Sequence, residues 1–252
     1  MFLNKNTNFA PIFFPFVFML LRICLYLFLL FLPVNYSITR GSSASLPADP
    51  SVAIQTECRK LYTDMGLEDI VNYTAFEQII IGSKTIERPN KDIITLIDFT
   101  KPSTEERLYV MDVRHKKLLF SSVVAHGKNS GGNYATSFSN VSGSYKSSLG
   151  FYVTENTYQG KNGYSLILNG LEKGINDKAK ERAIVVHGAA YANPSVAASG
   201  GRLGRSFGCP ALPQSLTKPI INTIKNGTLL FIYANDKGYL ASSTILYPGL
   251  TA

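Results

Sequence analysis

The sequence predicts a mostly β domain of the α+β class, preceded by a short helical lead-in. From Asp92 onward, short runs rich in β-branched and aromatic residues alternate with clusters of Gly, Ser and Asn, as is typical of strands and loops. Before that point, apolar residues recur at helical spacing. We divide the 252-residue chain into a leader with linker (1–45), the helical lead-in (46–90) and the β domain (91–240).

An apolar leader opens the chain. The segment Phe9–Val34 is almost entirely apolar apart from Arg22, and small polar residues follow it. Such a segment is typical of a secretory signal or an uncleaved membrane anchor. Ser42-Ser43-Ala44 resembles a small-x-small cleavage site, whereas Arg22 would be costly at the centre of a bilayer. A buried core helix is disfavoured, because three or four aromatic residues would face water whichever side of the helix were packed against the core. We therefore expect export and leave cleavage or anchoring open.

The net charge is +8, and the leader holds three of the basic residues and no acidic one. The sequence contains no basic run and no basic helix with interleaved aromatic residues, so nucleic acid is not an expected partner. A mildly basic exported domain suits an anionic envelope surface, although ordinary solubility explains the same charge.

Helices are indicated at three places. The first is expected to start near Asp49 or Pro50, since proline suits a first helical turn, and to end at Gly66. The second opens with the capping-box pattern of Thr74–Glu77. A late helix over Ser215–Lys225 has a stop signal at Gly227.

Strands are indicated by seven short runs, with a hairpin tip at Arg114–Lys117 and long loops at 126–133, 139–144 and 199–204. The predicted strands are Ile93–Phe99, Leu108–Val113, Leu118–Ala125, Phe151–Thr154, Ser165–Leu168, Ala183–His187 and Leu229–Tyr233.

The three cysteines differ in context. Cys24 lies in the leader, and Cys58 falls on the apolar stripe of the first predicted helix, which indicates a buried core thiol. A disulfide between Cys58 and Cys209 is an open alternative for an exported protein. Cys209 instead follows a glycine in a predicted loop, which suits an exposed reactive thiol.

Cys209 and His187 together suggest nucleophilic chemistry. The strand Ala183–His187 delivers a histidine at its end, where catalytic side chains are often carried. A neighbouring histidine activates a thiol and later protonates the leaving amine. Gly208 exposes its own N–H and that of Cys209, which suits an oxyanion. Either feature alone is more often structural, but the pair predicts a cysteine nucleophile with a histidine base.

These residues carry a resemblance to a known family. His187-Gly188 after a strand, followed by Ser206-Phe207-Gly208-Cys209, resembles the signature of the murein L,D-transpeptidases with a YkuD-type catalytic domain. The turn Ser147–Tyr152 is also similar, and the likeness covers roughly residues 92–234. Pro210-Ala211-Leu212 after the cysteine resembles the Gly-Cys-Pro-Ala branch and replaces the commoner aliphatic-Arg continuation. Phe207 stands where the common pattern has histidine.

The resemblance implies a YkuD-like β-sandwich or barrel and a mechanism. Cys209 would attack a tetrapeptide stem of peptidoglycan, terminal D-Ala would leave, and an acceptor amine would resolve the thioester into a crosslink. His187 would be the base, oriented by a backbone carbonyl, and Ser206 and Gly208 would shape the loop. The location would be the periplasm or cell envelope, with attachment to the inner membrane through the leader left open. An L,D-carboxypeptidase or endopeptidase on the same scaffold and a non-catalytic wall-binding module are the alternatives.

Four further residues are candidates for substrate binding. Arg205, and after it Arg202, could replace the missing family arginine, because a guanidinium holds a carboxylate through two hydrogen bonds. His126, in a second His-Gly pair, is either a cleft residue or an ordinary loop histidine. Tyr191 either lines the cleft or belongs to the core. The chain shows no close-spaced ligand pairs, so neither a metal nor a cofactor is expected.

Overall fold

The computed structural model describes residues 50–247, so the predicted leader lies outside the described residues. Its helices are α1 (Pro50–Asp64), α2 (Tyr73–Thr85), α3 (Pro194–Gly200), α4 (Gln214–Ile224) and α5 (Lys237–Ser242), with a 3₁₀ turn at Ala190–Ala192. Its strands are β1 (Ile93–Asp98), β2 (Leu108–Asp112), β3 (Lys117–Ser122), β4 (Gly150–Gly160), β5 (Gly163–Gly170), β6 (Val185–Gly188), β7 (Ala211–Leu212) and β8 (Leu229–Tyr233). Among residues 50–247, no helix has the length and apolar character needed to span a bilayer.

The eight strands form one sheet in the order β3-β2-β1-β8-β4-β5-β6-β7. The pairs β1–β8 and β6–β7 are parallel and the others are antiparallel. Beyond β3, Ala125 pairs with Ala211 of β7. The Ala125 N–H donates to the Ala211 carbonyl at 2.8 Å, and the Ala211 N–H donates to the Ala125 carbonyl at 3.2 Å. This isolated bridge links the segment that follows β3 to β7, so the sheet curls into a nearly closed, barrel-like shape. The prediction of a mostly β domain of the α+β class is confirmed.

One hydrophobic core joins the sheet to the helices. Apolar side chains of α1, α2 and α4 pack with those of the central strands in a single buried cluster. Phe151 of β4 stacks on Phe231 of β8 with ring centroids 4.2 Å apart. Gly82 of α2 lies against the Phe151 ring so closely that it leaves no room for a Cβ atom. The lead-in therefore shares its core with the sheet, and the boundary placed at residue 90 stays a prediction.

Most predicted elements are present, with differences at their ends. The cap of α2 is Asn72, whose side chain accepts the N–H of Ala75 at 3.3 Å, rather than Thr74. Strands β4 and β5 are longer than predicted because their polar outer halves pair with each other as a hairpin. The short elements β7, α3 and α5 were not predicted, since few residues carry too little periodicity.

Cys58 and Cys209 are both free thiols, so the structure contains no disulfide between them. Cys58 is completely buried, which confirms the core thiol expected from its position on the helix stripe.

The contact between α2 and Phe151 leads to a stability prediction. Gly82→Ala should destabilise the protein by about 1–3 kcal/mol, because the added methyl overpacks a buried ring. Alanine normally favours a helix, so the sign of the change is the test. Gly200→Ala is the matched control, since open space surrounds Gly200 at the end of α3. Urea denaturation gives both values, and a Gly82→Ala variant as stable as the control would contradict the packing described.

Candidate active site

Strand pairing brings His187 and Cys209 together. His187 lies in β6 and pairs in parallel with Ala211, and its N–H points to the Pro210 carbonyl at 3.4 Å. The residues that directly follow Cys209 are thereby fixed beside the histidine. Both side chains border one pocket of about 230 Å³. The lining residues are Asn162, His187, Gly188, Ala189, Tyr191, Arg205, Ser206, Phe207 and Cys209.

The surroundings of His187 determine which ring nitrogen carries the hydrogen and whether the imidazole is neutral. The residue is 5% exposed, and its Nδ1 lies 3.0 Å from the carbonyl oxygen of Gly188. A carbonyl oxygen only accepts, so Nδ1 carries the hydrogen and Nε2 keeps its lone pair. Burial lowers the pKa of His187 below its ordinary value, against a smaller opposing effect of the Gly188 carbonyl. The imidazole is therefore neutral at pH 7, with Nε2 able to accept a proton.

The Cys209 thiol is protonated at rest. The side chain is partly exposed, and its Sγ donates to the carbonyl oxygen of Ala183 at 3.6 Å. Burial raises the pKa of the thiol, and the N–H of Val185 and the charge of Arg182 offset part of that rise. The site thus holds a neutral thiol and a neutral imidazole rather than a preformed ion pair.

The side chain of Ser206 holds the loop that carries Cys209. Its Oγ donates to the Cys209 carbonyl at 2.6 Å and accepts the Gly208 N–H at 3.0 Å. Gly208 has φ +132°, and a Cβ there would lie 2.9 Å from Ile184 Cδ1. Because Ser206 takes the Gly208 N–H, that amide is not free for an oxyanion as expected from the sequence. Among the described residues, no other residue accepts the N–H of Cys209.

The first His-Gly pair supports the same loop through its backbone. The His126 carbonyl accepts the Ser206 N–H at 2.9 Å. The Gly127 N–H donates to Ser147 Oγ at 3.0 Å, and Ser147 Oγ donates to the Gly208 carbonyl at 3.1 Å. These bonds tie the 126–147 segment to the Cys209 loop.

The side chain of His126 is not brought into the pocket. It is 1% exposed, and its Nδ1 accepts from Nη2 of the fully buried Arg107 at 2.8 Å. Burial, and then the Arg107 charge, lowers the pKa of His126 to about 4. A buried ring cannot contact substrate, so the cleft interpretation of His126 does not fit its position. Across residues 50–247, no three His, Cys, Asp or Glu side chains group as metal ligands.

The other three candidates differ in position. Tyr191 lines the pocket, and burial together with the nearby thiol raises its pKa to about 12, so its hydroxyl stays neutral. Arg205 also lines the pocket, but its Nη1 donates to the carbonyls of Lys128 and Gly131, both at 2.9 Å. Arg202 is not among the lining residues, and its Nη1 donates to the carbonyl of the next residue at 3.0 Å.

Sequence reasoning missed Arg182 and Asn162. Arg182 precedes β6, and its guanidinium donates to the carbonyls of Ser139 at 2.8 Å and Lys146 at 2.6 Å. Its charge lowers the pKa of the Cys209 thiol. Asn162 reaches the pocket from the turn between β4 and β5. Neither residue belongs to a recognisable motif, and both come near Cys209 only when segments distant in the sequence are brought together.

The Ser206 bridge leads to a prediction about activity. Ser206→Ala should lower kcat by about 10- to 100-fold, because the loop loses the hydroxyl that fixes Cys209. Ser206→Thr should retain most activity, since it keeps the hydroxyl. Ser199→Ala serves as control, because that exposed hydroxyl bonds only within α3. An unchanged kcat in Ser206→Ala would show that the loop keeps its shape without the bridge.

Comparison with known proteins identifies the family. The family model described as the L,D-transpeptidase catalytic domain matches residues 67–233, more than half of the chain. Solved structures aligned to the chain include an L,D-transpeptidase from Mycobacterium smegmatis (12% identity, 57% of this chain and 59% of that one, TM-score 0.35). Another comes from Stackebrandtia nassauensis (16% identity, 72% and 78%, TM-score 0.34).

The chain spans 59% of the length of the first of these structures. No curated protein sequence matches the chain significantly. The family match itself is extensive and confirms the resemblance carried by the motifs: the chain belongs to the L,D-transpeptidase catalytic domain family.

Proposed function

We propose that the protein is a peptidoglycan L,D-transpeptidase that uses Cys209 as nucleophile and His187 as base. One observation carries the proposal beyond family membership. Two residues 22 positions apart line one pocket, and the imidazole presents Nε2 as a proton acceptor. A thiol beside such a base, in a loop held rigid by Ser206, is arranged for acyl transfer.

The neutral pair determines the order of proton movements. Cys209 Sγ attacks the carbonyl carbon of the diamino acid in the stem peptide while His187 Nε2 takes the thiol proton. The N–H of Cys209 donates to the resulting oxyanion. Collapse breaks the amide bond, and the imidazolium of His187 returns the proton to the leaving D-Ala amine. The product of this half-reaction is a thioester on Cys209.

The second half-reaction uses the same residues. A neutral acceptor amine attacks the thioester carbonyl, His187 removes a proton from the attacking nitrogen, and the new amide leaves as the thiol is reprotonated. In this scheme Tyr191 offers a neutral hydroxyl and Arg205 the unbound part of its guanidinium to the stem. Ser206 and Gly208 hold the loop in shape.

Hydrolysis of the thioester by water is the second candidate reaction. The pocket is open to solvent at the partly exposed Cys209, so water reaches the same carbonyl as an amine would. Carboxypeptidase or endopeptidase activity would follow. Product analysis with and without an amine acceptor separates crosslinking from hydrolysis. A wall-binding module without activity would have no need of the His187–Cys209 arrangement. Action on the wall agrees with the expected export to the periplasm or envelope.

The role of Cys209 leads to the most direct prediction. Cys209→Ala should lower turnover by about 10⁴-fold or more, because it removes the nucleophile. Cys58→Ala is the matched control and should keep activity while losing about 1 kcal/mol of stability. Mass spectrometry of muropeptides after incubation reports the activity of both variants, and urea denaturation reports the stability of Cys58→Ala. Crosslinked or trimmed products from the Cys209→Ala variant would refute the thioester mechanism.

The resting protonation state leads to a prediction about pH. Because burial raises the pKa of the Cys209 thiol, its alkylation by iodoacetamide should keep accelerating above pH 8.5, roughly the ordinary thiol pKa. Because burial lowers the pKa of His187, the acid limb of kcat/KM should lie below about pH 6.5.

A different dependence of the alkylation rate on pH would contradict the neutral pair. An alkylation rate already constant between about pH 5 and 8 would indicate a preformed thiolate–imidazolium pair and contradict the neutral pair. Peptide mapping assigns the alkylated residue, with the buried Cys58 as internal control.

A further inference from the structure

Two exposed aromatic rings and a lysine form a cluster at the mouth of the pocket. Phe207, which lines the pocket, is 67% exposed, and Tyr145 is 41% exposed. Their ring centroids are 4.9 Å apart. The Lys128 ammonium lies 4.2 Å from the Tyr145 centroid and 4.7 Å from that of Phe207. Burial in the core does not account for aromatic rings this exposed, so their position suggests a role in binding.

The cluster is attached to the loop that carries the nucleophile. The Lys128 N–H donates to the Ser206 carbonyl at 2.8 Å, and the Lys128 carbonyl accepts from Arg205 at 2.9 Å. The backbone of Lys128 is thus fixed against Arg205 and Ser206, at the start of the loop that carries Cys209. Attraction to both rings restricts the side chain, so the ammonium is held near the pocket before any ligand arrives.

The other cations around the pocket are more heavily engaged. Arg182 donates to several loop oxygens, and Nζ of Lys146 donates to Ser137 Oγ at 2.7 Å. Arg205 has two carbonyl acceptors on Nη1. Within residues 50–247, the ammonium of Lys128 has neither an oxygen acceptor nor an acidic partner, and it is exposed to solvent. All three of its N–H donors remain available to a ligand.

We propose that Lys128 binds a free carboxylate of the peptide substrate, with Tyr145 and Phe207 positioning its ammonium. This inference rests on the proposed function, because a stem peptide cleaved at its last residue carries a terminal carboxylate close to the scissile bond. An anionic group in the pocket would reach the ammonium along the exposed ring of Phe207. A solvent-exposed ion pair of this kind contributes about fivefold to kcat/KM.

The test compares two synthetic tetrapeptide stems that differ only at the C terminus, one a free acid and the other an amide. Lys128→Gln should lower kcat/KM about fivefold on the acid and leave the amide nearly unchanged, whereas Lys128→Arg keeps the charge and the preference. The loss on the acid should shrink as ionic strength rises. Lys117→Gln, at an exposed lysine at the start of β3, is the matched control.

A binding measurement keeps the test independent of catalysis. Titration calorimetry of both peptides with Cys209→Ala and with the Cys209→Ala, Lys128→Gln double variant should show the same acid-specific loss. Equal affinity losses for acid and amide, no loss for the acid, or tighter binding without Lys128 would each overturn the carboxylate site. A wild-type protein that binds the acid through Lys128 but turns neither peptide over would instead overturn the proposed function.

Discussion

The backbone pairing of Ala125 with Ala211 is the constraint on which the site depends. It brings the two edges of the sheet together into a nearly closed barrel, and it also fixes one end of the segment that carries Cys209. A second bridge, between Gly127 and Ser206, fixes the other end of that segment. The nucleophile thus lies in a short loop whose two ends are both hydrogen bonded to the barrel. Such a loop is held by the scaffold and needs little substrate binding energy to be ordered.

Burial also sets the electrostatics of the site. His187 is buried and Cys209 is partly buried beside it, so burial favours the neutral form of each side chain. The single backbone carbonyl at Nδ1 of His187 orients the ring without adding a negative charge. A carboxylate at that position would instead favour the imidazolium and a resting ion pair. The neutral pair is therefore a consequence of the burial of the two side chains and of the uncharged group that orients the imidazole.

The sequence predicted the strands well where large aliphatic and aromatic residues follow one another, as in Leu229–Tyr233, whose bounds agree with β8. It predicted the pairing of His187 with Cys209 because both stand next to glycines at expected element ends, and the roles of the two remain proposals. It did not predict β7, which has two residues and exists only because Ala125 and His187 flank it. The sequence did not predict the position of Arg182 either, because the carbonyl groups that accept its hydrogen bonds lie in loops about 40 residues earlier in the chain.

The two His-Gly pairs show why a motif alone cannot assign a side chain. His126 and His187 flank the Cys209 loop from opposite sides, one accepting from Ser206 and the other pointing its N–H at Pro210. Both following glycines are packed too tightly for a side chain, Gly127 against the backbone near Ser147 and Gly188 against the side chain of Thr217.

The backbones of the two pairs therefore do similar work, since each anchors one end of the same loop. Their rings differ because His187, at the end of β6, faces the pocket, whereas His126, in the segment after β3, faces the buried Arg107. A repeated pattern in the sequence thus reports a shared backbone role. Which of the two imidazoles is available for chemistry depends on what the fold packs against each ring.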